Sequence, residues 1–411
     1  MKIFSYKEIW LYILPLLFLP NMGLAQETSF GLLQLNDFII WPYIFTVYLS
    51  ISKINNRVKL YNKELIYFLF LFLLWSIFSS LCATLFNDYS ANELIFSMLK
   101  LAKLSLYAVA SLLTITAISR NNINQQFNWS LLASLTVMSA SLLFDRFIFY
   151  QESNSISDTI QFYTDNILSA TMAILFSYLL GLLFTGYGSR WWQLTAKICL
   201  LLSIFGIALS NGRGGWIAIL VSSIYIAYRL RMKQVIGFLS VCIVAIVTAY
   251  SIFPQFEDLV DRTIDPDPLY LAEYHSDLAG IETGGRWFYL KKEGIKVLDA
   301  PIFGTGFFHR GGETGLDPVG SHNFFVQMFL ETGIIGGILA ILVFFIMWKQ
   351  AGRRMVVLNG GEIPTKAAIS SAFVVGLSGE YFYGGMVLFT MLLSYGAVGR
   401  LPVNRMHDLK N

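Results

Sequence analysis

The chain has 411 residues, 55% hydrophobic and 16% aromatic but only 13% charged, and its mean hydropathy is +0.60. A soluble domain carries roughly 25% charged residues, so composition excludes an ordinary soluble protein and gives the fold class as an all-α polytopic membrane protein. The net charge of +3 points to no nucleic-acid partner, because the charges sort by side of the membrane; membrane lipids are the expected surroundings.

About 20 apolar residues make a helix that crosses a bilayer, and that length divides the chain into about twelve spans. The first covers Ile9–Leu24, the second Phe38–Ser52, the third Leu65–Phe86, the fourth Leu94–Ile118 and the fifth Trp129–Tyr150. Next come Asn166–Thr185, Leu194–Ser210, Gly215–Tyr228 and Val235–Phe253. A long loop, Pro254–Ser321, precedes the tenth span, Phe324–Trp348. The run Ala367–Val398 is too long for one helix and is divided near Glu380–Gly384 into two. The organisation is therefore spans one to nine in residues 1–253, a loop with an amphipathic helix in 254–321, and spans ten to twelve with a tail in 322–411. Cys82, Cys199 and Cys242 all fall inside apolar runs, which suits packing rather than a disulfide framework or a metal site.

The short loops test this division. Lys2, Lys7, Lys53, Arg57, Lys59, Lys63, Arg120, Arg190, Arg229, Arg231, Lys233, Lys349, Arg353, Arg354, Lys366, Arg400, Arg405 and Lys410 fall on one side. Glu27, Asp37, Asp88, Glu152 and Asp158 fall on the other, with Arg213 the one exception. By the positive-inside rule both termini are cytoplasmic and the long loop is outside. A rival reading takes the N-terminus, ending in Gly23-Leu24-Ala25, as a cleaved signal peptide. Pro15 and Pro20 interrupt its core, a retained first helix is preferred, and the remaining topology is the same either way.

Within the long loop, Pro254–Ile281 is acidic and broken by Asp265-Pro266-Asp267-Pro268, which argues against a regular element. Arg286–Ala300 reads as a helix stopped by Pro301 and Gly304. Trp287, Leu290, Ile295 and Leu298 share one side, and Lys292, Lys296 and Asp299 another, so it either lies along the membrane surface or covers a cavity.

Three positions stand out on the outer side. Arg213 lies in Asn211-Gly212-Arg213-Gly214-Gly215-Trp216, at the start of the eighth span. A helix N-terminus carries unsatisfied N–H groups, glycines let a ligand near the backbone, and a guanidinium binds phosphate oxygens bidentately. A snorkelling anchor is the alternative. Arg286, in Gly284-Gly285-Arg286-Trp287, is either a second anion ligand or a solvated loop arginine paired with a carboxylate such as Glu282. His322, between Ser321 and Asn323, opens the tenth span, where the positive helix end favours a neutral imidazole able to accept a proton from a hydroxyl. A helix-capping interfacial histidine is the other reading. Gly333 and Gly337 have the GxxxG spacing that lets a neighbouring helix pack closely.

These segments, together with Ile302-Phe303-Gly304-Thr305-Gly306, resemble the O-antigen ligase and O-antigen polymerase superfamily from about the seventh span to the eleventh. His322-Asn323, nine residues, then Gly333-Ile334-Ile335-Gly336 fits the ligase signature without a gap. The resemblance implies an inverting, metal-independent glycosyltransferase that needs no cofactor. It implies transfer of a glycan from undecaprenyl diphosphate to the lipid A core, at the periplasmic face of a bacterial cell inner membrane. It further implies that Arg213 and Arg286 hold the donor diphosphate and that His322 lies beside the acceptor hydroxyl, with Asn211, Gly214, Gly215, Asn323, Gly333 and Gly336 in support. Diphosphate is a good leaving group, so cationic stabilisation of its developing charge is the main chemical requirement. Asp265 and Asp267 keep a metal open, with solvated loop carboxylates the alternative. A repeat-unit polymerase shares the donor site and differs in acceptor. A transporter of lipid-linked glycan is the reading from another class, with Lys100, Lys103, Asp145 and Arg146 lining its path.

Overall fold

The computed structural model describes residues 8–19, 26–28, 31–33, 35–52, 63–86, 91–121, 123–144, 165–209, 213–230, 232–252, 294–307, 323–354, 362–379, 382 and 385–396. Among them, the helices of nine residues or more are α1 (Ile9–Leu17), α2 (Leu35–Ser52), α3 (Lys63–Phe86), α4 (Ala91–Asn121), α5 (Asn124–Phe144) and α6 (Asp165–Phe184). They continue with α7 (Arg190–Leu209), α8 (Arg213–Arg229), α9 (Met232–Ile252), α10 (Phe324–Arg354), α11 (Glu362–Ser378) and α12 (Met386–Gly396). The α3, α4, α6, α7 and α10 helices are long and apolar enough to cross a membrane, and α8, α9 and α12 contain shorter apolar stretches. Large apolar side chains such as Phe38, Trp41, Phe45, Phe70 and Ile224 point outward. An apolar exterior on apolar helices is what a lipid solvent requires, so this is an integral membrane protein.

Two elements depart from the sequence expectation. The first helix stops at Leu17 rather than Leu24: past Pro15 the Phe18 N–H turns back to the Pro15 carbonyl at 3.1 Å. Gln26–Thr28 then pairs antiparallel with Gly31–Leu33, in the register Glu27↔Leu32, adding a small hairpin to an otherwise helical fold. Of the expected loop helix at Arg286–Ala300, residues 294–296 are helical and turns follow, with Ile295 and Leu298 exposed; Trp287 and Leu290 lie outside the described residues.

Polar side chains inside the bundle tie helices together, since a hydroxyl buried among apolar groups must find a partner. Ser177 meets Ser222 between α6 and α8 at 2.6 Å, Ser139 meets Ser203 between α5 and α7 at 3.1 Å, and Tyr43 meets Thr114 between α2 and α4 at 2.7 Å. The α1 helix is built into the same core, with Trp10 edge-on to Tyr43 and the Ser130 hydroxyl bonded to the Leu11 carbonyl at 2.6 Å. Cys82, Cys199 and Cys242 are free thiols, all buried.

Candidate active site

Helix directions place the two candidate helix starts at one end of the bundle. The α11 helix begins beside the C-terminal ends of α6 and α8: Pro364 lies against Gly181, and Glu362 pairs with Arg229 at 2.6 Å. Both α6 and α8 therefore run antiparallel to α11, and their first turns lie at its C-terminal end. The Asn323 amide donates to the Leu377 carbonyl at that same end of α11, at 3.2 Å. The starts of α8, at Arg213, and of α10, directly after His322, thus share the C-terminal end of α11. The opposite end carries Arg229, Glu362 and Lys366, and Gln350, which bridges Glu64 and Tyr395 at 2.6 and 2.7 Å.

Asn323 is the N-cap of α10. Its side-chain oxygen accepts the backbone N–H groups of Phe325 and Val326 at 3.0 and 3.1 Å, which satisfies two donors that a helix start otherwise leaves open. With its amide on α11, the cap fixes the position from which the preceding residue, His322, departs.

Ten residues beyond this cap the helix breaks. Gly333 has φ 68° and ψ −174°, a conformation open only to glycine. Such a break frees carbonyls that lipid cannot solvate, and the segment Pro301–Phe307 receives them. Thr305 N–H bonds to the Leu330 carbonyl and Gly306 N–H to that of Glu331, both at 2.9 Å. Ile334 N–H returns to the Pro301 carbonyl at 2.8 Å. From α3, the Trp75 indole N–H reaches the Thr332 carbonyl at 2.7 Å, and the Ser79 hydroxyl lies within reach of both the Phe303 and Glu331 carbonyls, at 2.5 and 2.9 Å. Ser80 and Ser97 complete the seam on Phe307, with contacts of 3.0 Å to its N–H and 2.6 Å to its carbonyl. Gly304, at φ 71°, is the reciprocal glycine: a Cβ there would enter the Glu331 carbonyl, just as one on Gly333 would enter that of Ile302.

The glycines thus acquire a role different from the expected helix–helix spacing. Gly333 makes the break. A Cβ on Gly336 would crowd Thr332 and Trp75, and one on Gly337 would meet Phe329 of the same helix. Gly215 lies against Ser169 on α6, where a side chain would collide with the Ser169 hydroxyl, so it sets the close approach of α6 and α8; Gly214 is buried beside it. His322, Arg286 and Asn211 lie outside the described residues, and Arg213 is placed by its backbone as the first residue of α8. Asp265, Asp267, Asp145 and Arg146 also lie outside them. Among the described residues no group of three His, Cys, Asp or Glu side chains is placed to hold a metal ion.

Glu331 is absent from the candidates drawn from sequence. It is fully buried, and its carboxylate accepts from the amide of Gln327, itself 2% exposed, at 2.7 Å. Asn323, Gln327 and Glu331 are spaced four residues apart and form a polar stripe running inward from the mouth. An ionisable residue inside an apolar span is itself a signal of function, and it was readable in the sequence.

Next to this stripe lies a small apolar cavity of about 40 Å³ between α3, α4, α10 and α12, lined by Phe72, Leu104, Ala108, Phe307, Phe324 and Leu388 among others. The Lys100 ammonium stands one turn outward on α4, 5.2 Å from the Phe96 ring centroid. Lys103 is paired with Asp37 on α2 at 2.8 Å.

The fold and these junctions define a polytopic membrane protein with one elaborated end. Residues 198–341, a little over a third of the chain, match the family described as O-antigen ligase. The matched stretch runs from α7 past the break in α10 and contains Arg213, Arg286, His322 and the Gly333–Gly336 pair. Over that stretch the chain is similar to the O-antigen ligase family. No curated protein matches the chain.

Proposed function

We propose that the protein transfers a glycan from undecaprenyl diphosphate to the lipid A core at the periplasmic face of the bacterial inner membrane, with inversion and without a metal. The observation that carries this reading is the shared end of α8 and α10. Arg213 opens one helix and Asn323, the residue after His322 in sequence, caps the other, and both helix starts lie at the C-terminal end of α11. In this reading Arg213 and Arg286 hold the diphosphate and stabilise the charge that develops as it leaves. His322 takes the proton from the attacking hydroxyl or orients that hydroxyl. Asn323 and Gly333 act at one remove, by fixing where α10 begins and where it breaks.

The chemistry of the arginines gives a direct test. Arg213→Ala is expected to abolish transfer while protein remains in the membrane, and Arg213→Lys to rescue poorly, because a point charge does not reproduce the guanidinium fork. Near-normal transfer by the Lys variant would reduce the requirement to positive charge alone, and near-normal transfer by Arg286→Ala would remove that residue from the site. Sidedness is tested separately. Cysteine at Asp265 or Glu313 is expected to react with an impermeant thiol reagent from the periplasm, and cysteine at Asn56 or Arg231 to stay unreactive. The native thiols are buried, which keeps the background low. Reversed labelling would place the mouth in the cytoplasm and end the proposal.

A polymerase would use the same donor residues with a second lipid-linked repeat as acceptor. Supplying lipid A core or a lipid-linked repeat to reconstituted protein distinguishes the two. A transporter reading draws on the broken α10, since carriers use such breaks to line an ion path. Here the freed carbonyls of Leu330, Glu331 and Thr332 are taken by Thr305, Gly306, Ser79 and Trp75, so the break is a structural seam.

A further inference from the structure

We propose that Glu331, acting through Gln327, is a positioning residue for His322. This rests on the reaction proposed above, in which His322 meets the attacking hydroxyl, and it gives a task to a buried carboxylate which that reaction leaves unused. The cap defines the geometry. Asn323 accepts the N–H groups of Phe325 and Val326, so it is the N-cap of α10; His322 occupies the position before it and Gln327 the fourth position of the helix. On a capped helix these are the two positions whose side chains meet across the first turn, an arrangement that staples the entering chain when both are apolar. Here both are polar.

One turn further in, the fully buried Glu331 carboxylate leans back to take the Gln327 amide at 2.7 Å. A carboxylate accepts and does not donate, so it admits only the NH2 half of the amide. The carbonyl oxygen, on the other side of the planar group, is turned away from Glu331. In the proposed arrangement that oxygen accepts a ring N–H of His322, which fixes the tautomer and leaves the other ring nitrogen as the acceptor. The proton of the attacking hydroxyl passes to that nitrogen as the new glycosidic bond forms. The diphosphate departs with the electron pair of the bond it gives up.

Both ends of this relay are held by the bundle. The Glu331 carbonyl accepts the Gly306 N–H and the Ser79 hydroxyl, each at 2.9 Å. Phe324 and Phe325 pack on Phe382 and Phe373, with ring centroids 4.6 and 5.0 Å apart. A side chain that orients a reacting group needs such rigid support. Eight residues of helix, about 12 Å, separate Glu331 from the cap, so the carboxylate works through Gln327 and not on the substrate. A carboxylate inside an apolar span is costly, and an apolar side chain would meet the needs of packing without that cost.

The test uses the full chain in nanodiscs and reads transfer kinetics, melting temperature and the carbethoxylation of His275, His309, His322 and His407 by diethyl pyrocarbonate. Glu331→Gln keeps the shape but lets either half of the Gln327 amide face it. It is expected to lower kcat about 10- to 100-fold with KM for the lipid-linked donor unchanged. Modification of His322 should slow severalfold while the other three histidines react as before. In a His322→Ala background the same substitution should lower transfer no further, because residues acting as one unit are not additive. Multiplied losses in that background, or a lower kcat with unchanged modification of His322, would overturn the proposal. Gln327→Met combined with Glu331→Met replaces the pair by apolar groups of similar shape, a change that is nearly neutral for folding. Its melting should hold while kcat falls as in Glu331→Gln; wild-type kcat from this protein would reduce the pair to packing. A wild-type protein whose His322 reacts faster than that of Glu331→Gln, yet which transfers no glycan, would end the reaction proposed above and leave the positioning contact standing. A protein that transfers glycan while His322 reacts alike in both would do the reverse.

Discussion

His322→Ala is expected to lower glycan transfer by roughly 10²–10⁴-fold, the range for loss of a general base. In the proposed site donor affinity comes from the arginines and the helix ends, so binding of the lipid-linked donor should survive. His322→Gln retains a hydrogen-bonding group that takes up no proton, and it should remain nearly inactive. Recovery of most of the rate with Gln would make orientation of the hydroxyl the task of this residue. Loss of donor binding in His322→Ala would instead move the imidazole to the diphosphate. A binding assay with lipid-linked donor, run beside a transfer assay, reads all three outcomes.

Gly333→Ala is expected to disable the enzyme by a different route. The residue holds φ 68° and ψ −174°, and its missing side chain faces the Ile302 carbonyl. A methyl group there adds backbone strain of about 1–3 kcal/mol. It also pushes Pro301–Phe307 off the break, where each lost hydrogen bond costs about 1 kcal/mol and each carbonyl left bare in an apolar setting costs more. The melting temperature in detergent should fall by several degrees together with transfer. Gly304→Ala should resemble it, since that glycine meets the same seam from the other side. A Gly333→Ala protein with unchanged melting and unchanged transfer would show that the seam is not held by this backbone geometry.

The helices were legible where apolar length alone determines them. The predicted ends at Phe86, Ser52 and Thr185 fall at or within a residue of the observed ends of α3, α2 and α6, and the split near Glu380–Gly384 falls between Ser378 and Met386. Hydropathy continues past Pro15 although the helix does not, so the expected first span exceeds the observed one. The hairpin at Gln26–Leu33 is not legible in the sequence, because two three-residue strands leave almost no pattern. At the candidate site, Ile302–Gly306 and Gly333–Gly336 were both visible as motifs, but their direct contact was not. A positive φ at Gly333 is stable only with the Pro301–Phe307 backbone laid against it, and no local spacing encodes that partner. Gln327 and Glu331 are hidden for a simpler reason: hydropathy averages isolated polar residues into the apolar run around them.

The seam on α10 changes the effective length of the loop that precedes this helix. Pro301–Phe307 is bonded into the bundle at Leu330, Glu331 and Ile334, and Asn323 is bonded into it at Leu377. His322 therefore belongs to a closure of about 15 residues between two fixed points, not to one of about 70 spanning Pro254–Ser321. Since closure entropy grows as (3/2)RT ln n, shortening n from about 70 to about 15 lowers the cost of closing the segment ahead of α10 by about 1.4 kcal/mol. Insertions on the N-terminal side of Pro301 should therefore be tolerated far better than insertions between Phe307 and His322, although both lengthen the same loop.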